Sequence, residues 1–198
     1  MAFTSFSSIQ ELATRFGIRF DREPFVRPVA GATLSPILQT ELAYTLRRVP
    51  FEGSEVATRE AIIYPVLRDV WKHYDEHLSL VSGKMLHYDN ELRGEVDYAV
   101  CGISALGPLV PGPPYLLVGS HDALGGMIAA QKISANDRFT YYGLTSFGLG
   151  WRFGKLEALR FTKDPRVFGF EDLDTLAGAL HFVFAACRDQ LLLPPAPP

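Results

Sequence analysis

The chain contains few cysteines, the residues that covalent cross-links and cysteine-based metal sites require. Its 198 residues include two cysteines, Cys101 and Cys187, with no Cys-x-x-Cys pair and no cluster of cysteine with histidine. This excludes a disulfide framework of the kind that holds small secreted domains together, and nothing indicates a zinc site. Because both cysteines fall in segments of buried character, we expect two reduced thiols in the core.

Long apolar runs and an excess of one charge are missing as well. No uninterrupted hydrophobic stretch reaches the roughly 20 residues of a membrane-crossing helix, and the N-terminus lacks a basic start followed by an apolar run. The sequence therefore predicts no membrane partner and a cytoplasmic location. The formal net charge of −3 at pH 7 gives no sign of nucleic-acid binding, for which a local basic patch would nevertheless suffice.

The order of helical and strand-like patterns predicts the fold class. The length fits one domain with an attachment, which we divide into a helical N-terminal extension packed on the core (1–53), a core domain (54–192) and a proline-rich tail (193–198). We expect an α/β or α+β fold with a mixed central β-sheet flanked by helices. Period-three-to-four patterns predict helices at 7–18, from Ser35, from Ser54 to Tyr74, at 127–133 and at 172–192, and period-two patterns predict strands at 78–81, 84–88, 95–103, 115–118, 140–147 and 151–161.

Two acids stand where apolar side chains are expected. Asp97 alternates with Ala99 and Cys101 on one face of a predicted strand, and Glu60 lies in the apolar stripe of the third predicted helix. A carboxylate among apolar neighbours is costly to desolvate unless it has a partner. Two inward-pointing acids therefore predict a metal site, although Glu60 taken alone is better explained as a salt-bridged or snorkelling acid at the edge of the stripe.

The arrangement of these segments resembles the PD-(D/E)xK, restriction-endonuclease-like nuclease superfamily, in particular its small bacterial members. The resemblance covers residues 54–192 and rests on the order and spacing of several segments. These are the helix with Glu60, the strands 94–98 and 114–118, the helix 127–132, the strands 142–148 and 151–156, and the helix start 171–176.

The resemblance implies a Mg²⁺ or Mn²⁺ site and DNA as the partner. In that superfamily a strand aspartate and a Glu-x-Lys on the next strand hold the metal, which stabilises charge on the scissile phosphate and activates water, while a helix glutamate assists. The resemblance assigns Asp97 to the strand aspartate and Glu60 to the helix glutamate. Nucleases of this kind often pair, so a homodimer is one arrangement that we expect.

The Glu-x-Lys element is missing from this sequence. Its place holds Gly119, Ser120, His121 and Asp122, and no lysine occurs before Lys132. Three explanations stay open. The site is impaired or absent and the fold serves binding or assembly; or it has moved, with His121 and Asp122 as metal ligands and Lys132 as the catalytic lysine; or residues 119–126 depart from the natural sequence.

Two hypotheses about function follow. The first is an active metal-dependent endonuclease with a rearranged site built from Asp97, Glu60, His121, Asp122 and Lys132. The second, which we favour, is a nuclease-like fold with an impaired or absent active site that binds DNA or serves as an assembly module. Eight cations are candidates for a DNA-backbone patch, namely Arg47, Arg48, Arg59, Arg138, Arg152, Lys155, Arg160 and Lys163.

Overall fold

One mixed β-sheet runs through the molecule. The computed structural model describes residues 8–51, 53–119 and 123–192, and within them the sheet has eight strands in the order β1-β7-β6-β5-β4-β3-β2, with β8 paired to β6. The strands are β1 (Arg19–Arg22), β2 (Leu78–His87), β3 (Arg93–Ser104), β4 (Gly107–Gly119), β5 (Thr140–Ser146), β6 (Gly150–Glu157), β7 (Arg160–Lys163) and β8 (Phe168–Gly169). The predicted class, an α+β fold with a mixed central sheet flanked by helices, is confirmed.

Helices cover both faces of this sheet. They are α1 (Ile9–Phe16), α2 (Pro36–Arg48), α3 (Glu55–Thr58), α4 (Tyr64–Trp71), α5 (Leu124–Ser134) and α6 (Leu173–Leu191), with a π-helical turn (Arg59–Ile63) between α3 and α4 and a 3-10 turn (Phe170–Asp172) before α6. Ser8, Ser35 and Asp172 cap their helices by accepting a hydrogen bond from a backbone N–H of the first turn. No helix in the described part of the chain is both long and apolar enough to cross a bilayer.

The crossover helix α5 joins the parallel strands β4 and β5 and defines one face of the sheet. A Cβ added at Gly143 of β5 would lie 2.8 Å from both Ala123 and Met127, so α5 approaches the sheet closely there. On the other face, a Cβ at Gly102 of β3 would lie 3.3 Å from Leu191 of α6. The core therefore has two layers, one on each side of the sheet, and we call the side that carries α5 the α5 face.

Four features of the predicted secondary structure were wrong. Strand β2 continues through Gly83, which adopts a φ of +63°, and its pairing with β3 keeps the same register before and after the position where a turn was expected. The proline-rich segment between the predicted strands 95–103 and 115–118, for which we predicted no strand, belongs largely to β4, where the pairing with β3 shifts register. The predicted strand 151–161 is a hairpin, since Ala158 adopts φ +48° between β6 and β7.

The fourth correction concerns the N-terminal extension (1–53), for which we predicted helices and no strand. Residues Arg19–Arg22 form β1, which pairs in parallel with β7 and extends the central sheet. Two further contacts attach this segment to the core. Asp164 accepts the N–H groups of Phe25 and Val26, each at 3.0 Å, and Val29 donates to the carbonyl of Gly178 at 3.0 Å.

Candidate functional site

Asp97 lies in β3 and is partnered by an arginine. Its side chain is 20% exposed and forms an ion pair with Arg59, whose side chain is 30% exposed. The carbonyl of Arg59 also accepts a hydrogen bond from the hydroxyl of Tyr98, at 3.3 Å. Burial alone would lower the pKa of Arg59, but the charge and hydrogen bond of Asp97 raise it overall. The inward carboxylate that the sequence singled out is therefore neutralised by a side chain of the same protein.

A π-helical turn places Arg59 at this position. Pro65 has no N–H to donate to the carbonyl of Ala61, and just before it the N–H of Tyr64 bonds to Arg59, five residues back, as in a π turn. The inserted residue gives Arg59 the place on the helix that Glu60 would take in a regular α-helix. This explains why Glu60, expected in the apolar stripe, is exposed.

Glu60 nevertheless lies close enough to Tyr98, the residue that follows Asp97 in β3, to act on it. Burial raises the pKa of the Tyr98 phenol, Arg59 lowers it, and the carboxylates of Asp97 and Glu60 both raise it. Both acids thus act on the same tyrosine, which also stacks on Tyr64 with ring centroids 5.7 Å apart. The two segments that the sequence analysis paired do meet at Tyr98, whose hydroxyl donates to Arg59 and whose ring stacks on Tyr64.

The described residues do not fit a Mg²⁺ or Mn²⁺ site. Metal coordination needs several oxygen ligands, whereas Asp97 is bound to Arg59 and Glu60 is exposed. Within residues 8–51, 53–119 and 123–192, no three His, Cys, Asp or Glu side chains form a group that could hold a metal ion. His121 and Asp122, the remaining predicted ligands, lie outside the described residues.

Lys132 is not brought to Asp97. It is exposed in the last part of α5, and its ammonium lies over the rings of Tyr88, at 5.6 Å, and Phe16, at 5.9 Å. Tyr88 belongs to the turn between β2 and β3, and Phe16 ends α1. The structure gives this lysine a packing and cation–π role between three elements.

The eight candidate cations divide into three that have acidic partners and five that make no ion pair within the described residues. Arg59, Lys155 and Arg160 have acidic partners, since Lys155 pairs with Glu157 and Arg160 with Asp21. In contrast, Arg152 and Lys163 lie on the α5 face and line one cavity, and neither makes an ion pair within the described ranges. Arg47, Arg48 and Arg138 make no ion pair there either, but of these five cations only Arg152 and Lys163 line this cavity.

This cavity has a volume of about 440 Å³ and lies beside α5, above strands β5, β6 and β7. Its wall and base include the phenylalanines Phe147 and Phe161, and Thr145 contributes a hydroxyl. Gly143 and Gly154 pair with each other in the sheet and keep this surface open. We call this the β5–β7 pocket. Sequence reasoning missed it, although the spacing of Arg152 with Gly154 and of Phe161 with Lys163 places each pair on one strand face.

Asp97 and the β5–β7 pocket share one face and one end of the sheet. Residues paired across a sheet point to the same side, and the pairs Ala99–Leu117, Leu117–Gly143 and Gly143–Gly154 form a continuous row. Asp97, Thr145 and Arg152 each lie two residues from this row, in β3, β5 and β6 respectively, and therefore point to the same side of the sheet. Three spacings of about 4.8 Å between neighbouring strands put the backbone of Asp97 roughly 14 Å from the backbone of Arg152.

Neither thiol takes part in this site. Burial raises the pKa of Cys101 to about 11 and raises that of Cys187 further, and neither sulfur forms a disulfide. Both cysteines are fully buried. The prediction of two reduced core thiols is confirmed, and neither has the lowered pKa of a reactive thiolate.

Comparisons with protein-family models, with curated proteins and with solved structures find no match for this chain. The class that the structure defines is therefore an α+β protein with a mixed eight-stranded sheet. The relation to the restriction-endonuclease-like superfamily stays a prediction, as do the DNA partner and the homodimer.

Proposed function

We propose that this protein binds DNA and does not cleave it. The binding surface is the α5 face of the sheet, from Asp97 to the β5–β7 pocket. The observation that carries the proposal is the ion pair between Arg59 and Asp97. A metal-dependent phosphodiesterase needs its strand aspartate free for the metal, and here one guanidinium already provides the compensating charge.

The cations of the β5–β7 pocket support an anionic partner. Arg152 is exposed and Lys163 is half-buried, so both can reach a ligand from one open side. Arg22, which pairs with Lys163 in the sheet, adds a third cation at the edge. Phosphate contacts supply most of the affinity of non-specific DNA binding, and a basic patch provides them even in a protein whose net charge is negative.

The test combines a cleavage assay with a binding assay. Purified protein is incubated with single-stranded and duplex DNA in Mg²⁺ and in Mn²⁺, and binding of labelled DNA is followed by fluorescence anisotropy at several salt concentrations. We expect no cleavage and salt-sensitive binding. The Arg152→Gln/Lys163→Gln variant should weaken binding about tenfold or more and lower the slope of log K against log salt by roughly 1 to 2.

A matched control removes two cations that have acidic partners. The Arg15→Gln/Arg160→Gln variant has the same net charge as the test variant, but its arginines pair with Glu91 and Asp21. We expect its DNA affinity to stay within threefold of the original. Equal losses in both variants, or no binding even at low salt, would contradict the proposal. Metal-dependent cleavage that Asp97→Ala abolishes would instead establish the active-endonuclease hypothesis.

A further inference from the structure

The β5–β7 pocket has the features of a site for one nucleotide of a single strand. We propose that it holds an unpaired nucleotide of single-stranded DNA, with the base against Phe147 and the phosphates at Arg152 and Lys163. This inference rests on the proposed DNA-binding function and specifies which form of DNA the site takes. The observations concern an exposed ring, a preformed turn, the shape of the pocket and its charge.

Phe147 is a large apolar side chain with little burial. It is 58% exposed, and the guanidinium of Arg152 lies 4.9 Å from its ring centroid. A ring so exposed contributes little to folding through apolar burial. Aromatic rings and guanidinium planes are the surfaces on which proteins stack unpaired bases, and stacking is tolerant of base identity. Phe147 and Arg152 together form such a platform.

The turn that carries Phe147 is held in place before any ligand binds. The N–H of Phe147 donates to the carbonyl of Gly150 at 3.1 Å, and the hydroxyl of Ser146 donates to the carbonyl of Gly148 at 3.2 Å. A Cβ at Gly150 would lie 2.2 Å from the ring of Phe147, so glycine lets the ring approach the strand. A preformed platform reduces the entropy that is lost on binding.

The shape of the pocket matches a small ligand with an apolar part. Its volume of about 440 Å³ lies within the range of about 300 to 1,000 Å³ that is typical of small-molecule sites. Phe161, which is 2% exposed, closes the apolar base and packs against Phe20 with ring centroids 5.7 Å apart. A Cβ at Gly154 would come within 2.7 Å of the Phe161 ring, so this base depends on glycine.

The charges select an anion, and the stacking platform selects an unpaired base. Arg152 and Lys163 have no acidic partner within the described residues, and Thr145 offers a hydroxyl in the same pocket. In duplex DNA the bases are stacked on one another, so a ring at the protein surface reaches only phosphates and sugars unless a base leaves the stack. We therefore assign the pocket to a single strand.

The experiment compares three ligands and three proteins by fluorescence anisotropy. The ligands are a labelled oligothymidylate, a labelled blunt-ended duplex of equal length, and unlabelled thymidine monophosphate as competitor. The proteins are the original, Phe147→Ala and the control Tyr44→Ala, which removes an aromatic of similar exposure (57%) from α2. We expect tenfold tighter binding of the single strand than of the duplex.

Each outcome bears on the inference. Phe147→Ala should weaken single-strand binding about tenfold and leave duplex binding unchanged, Phe147→Trp should restore the affinity, and Tyr44→Ala should change neither. Three results would overturn the inference and leave DNA binding intact. Phe147→Ala could weaken the binding of both DNA forms equally, it could weaken the binding of neither, or the mononucleotide could compete at the same concentration as the oligomer. Failure of the original protein to bind either DNA would overturn both proposals. Because Phe147 is exposed, its variants should keep the original melting temperature, which is measured alongside.

Discussion

A double-mutant cycle on Arg59 and Asp97 tests the central contact. The variants are Arg59→Met, Asp97→Asn and the double substitution, which preserve much of the side-chain volume and remove one or both charges. The side chains are 30% and 20% exposed, so the pair is screened less than a surface ion pair. At an effective dielectric constant of about 20, two charges 4 Å apart attract by about 4 kcal/mol. Desolvation and side-chain ordering remove most of this, which leaves a coupling of about 1 to 2 kcal/mol.

The assay is urea unfolding followed by circular dichroism, with the coupling taken from the free energies of unfolding of the four proteins. The loss of unfolding free energy in each single variant should exceed half of the loss in the double variant, because each single variant leaves one charge without its partner. The exposed pair Arg15–Glu91, with side chains 60% and 45% exposed, serves as a control for which we expect no measurable coupling. Coupling below about 0.3 kcal/mol, the limit of additivity for independent sites, would refute Arg59 as the counter-ion of Asp97. So would a stabilisation by Mn²⁺ that Asp97→Asn removes, since the metal would then bind where we place the guanidinium.

Three further predictions concern the scaffold. Asp164→Asn should destabilise the protein by about 3 kcal/mol in urea unfolding, because the buried carboxylate accepts hydrogen bonds from Phe25, Val26 and Arg166. Burial raises the pKa of Asp164, but these hydrogen bonds lower it overall, so its contribution is present above the unfolded value near pH 4 and is lost as the pH falls through the folded value. Thr162→Val should stabilise by about 1 kcal/mol, since the fully buried hydroxyl has no partner among the described residues, and a loss of stability on this change would contradict the structure. Burial and the neighbouring His73 lower the pKa of His181, so the unfolded chain binds this proton more readily than the folded protein, and stability should fall as the pH drops through the unfolded value near 6.5; His181→Gln should flatten this dependence, and an unchanged pH profile would show that His181 does not cause it.

The fold class was predictable because hydrophobic periodicity is a local property. The helices with capped starts at Ser8, Ser35 and Asp172 appeared where the pattern placed them. The errors arose where one residue changes the backbone without changing the pattern. Gly83 lets β2 continue past an expected turn, and Ala158 in a left-handed conformation divides one expected strand into two. Neither event alters the alternation of apolar and polar residues on which such predictions depend.

The candidate site was predictable only in part, because it depends on contacts between distant segments. The sequence identified Asp97 as an acid in need of a partner, and the structure provides one. It did not identify Arg59 as that partner. Charged residues are common near the start of a helix, and the sequence alone does not show whether such a residue faces the sheet or the solvent. The β5–β7 pocket combines side chains from three strands whose pairing is a property of the whole sheet. Cations on the sequence could be counted, but only the sheet shows which of them lack an acidic neighbour.

Pro65 links the local sequence to the ion pair between Arg59 and Asp97. A proline within a helix cannot donate to the carbonyl four residues back, and one inserted residue before it accommodates the defect as a π turn. The insertion turns every residue on its N-terminal side by about 100° relative to α4, which is one residue of a helix with 3.6 residues per turn. Arg59 thereby takes the inward position and meets Asp97, while Glu60 turns outward. Had the helix been regular, Glu60 would take this position, and two carboxylates would face each other without a cation between them. The π turn supplies that cation from the chain itself, which is the physical reason to expect binding without metal-dependent cleavage at this face.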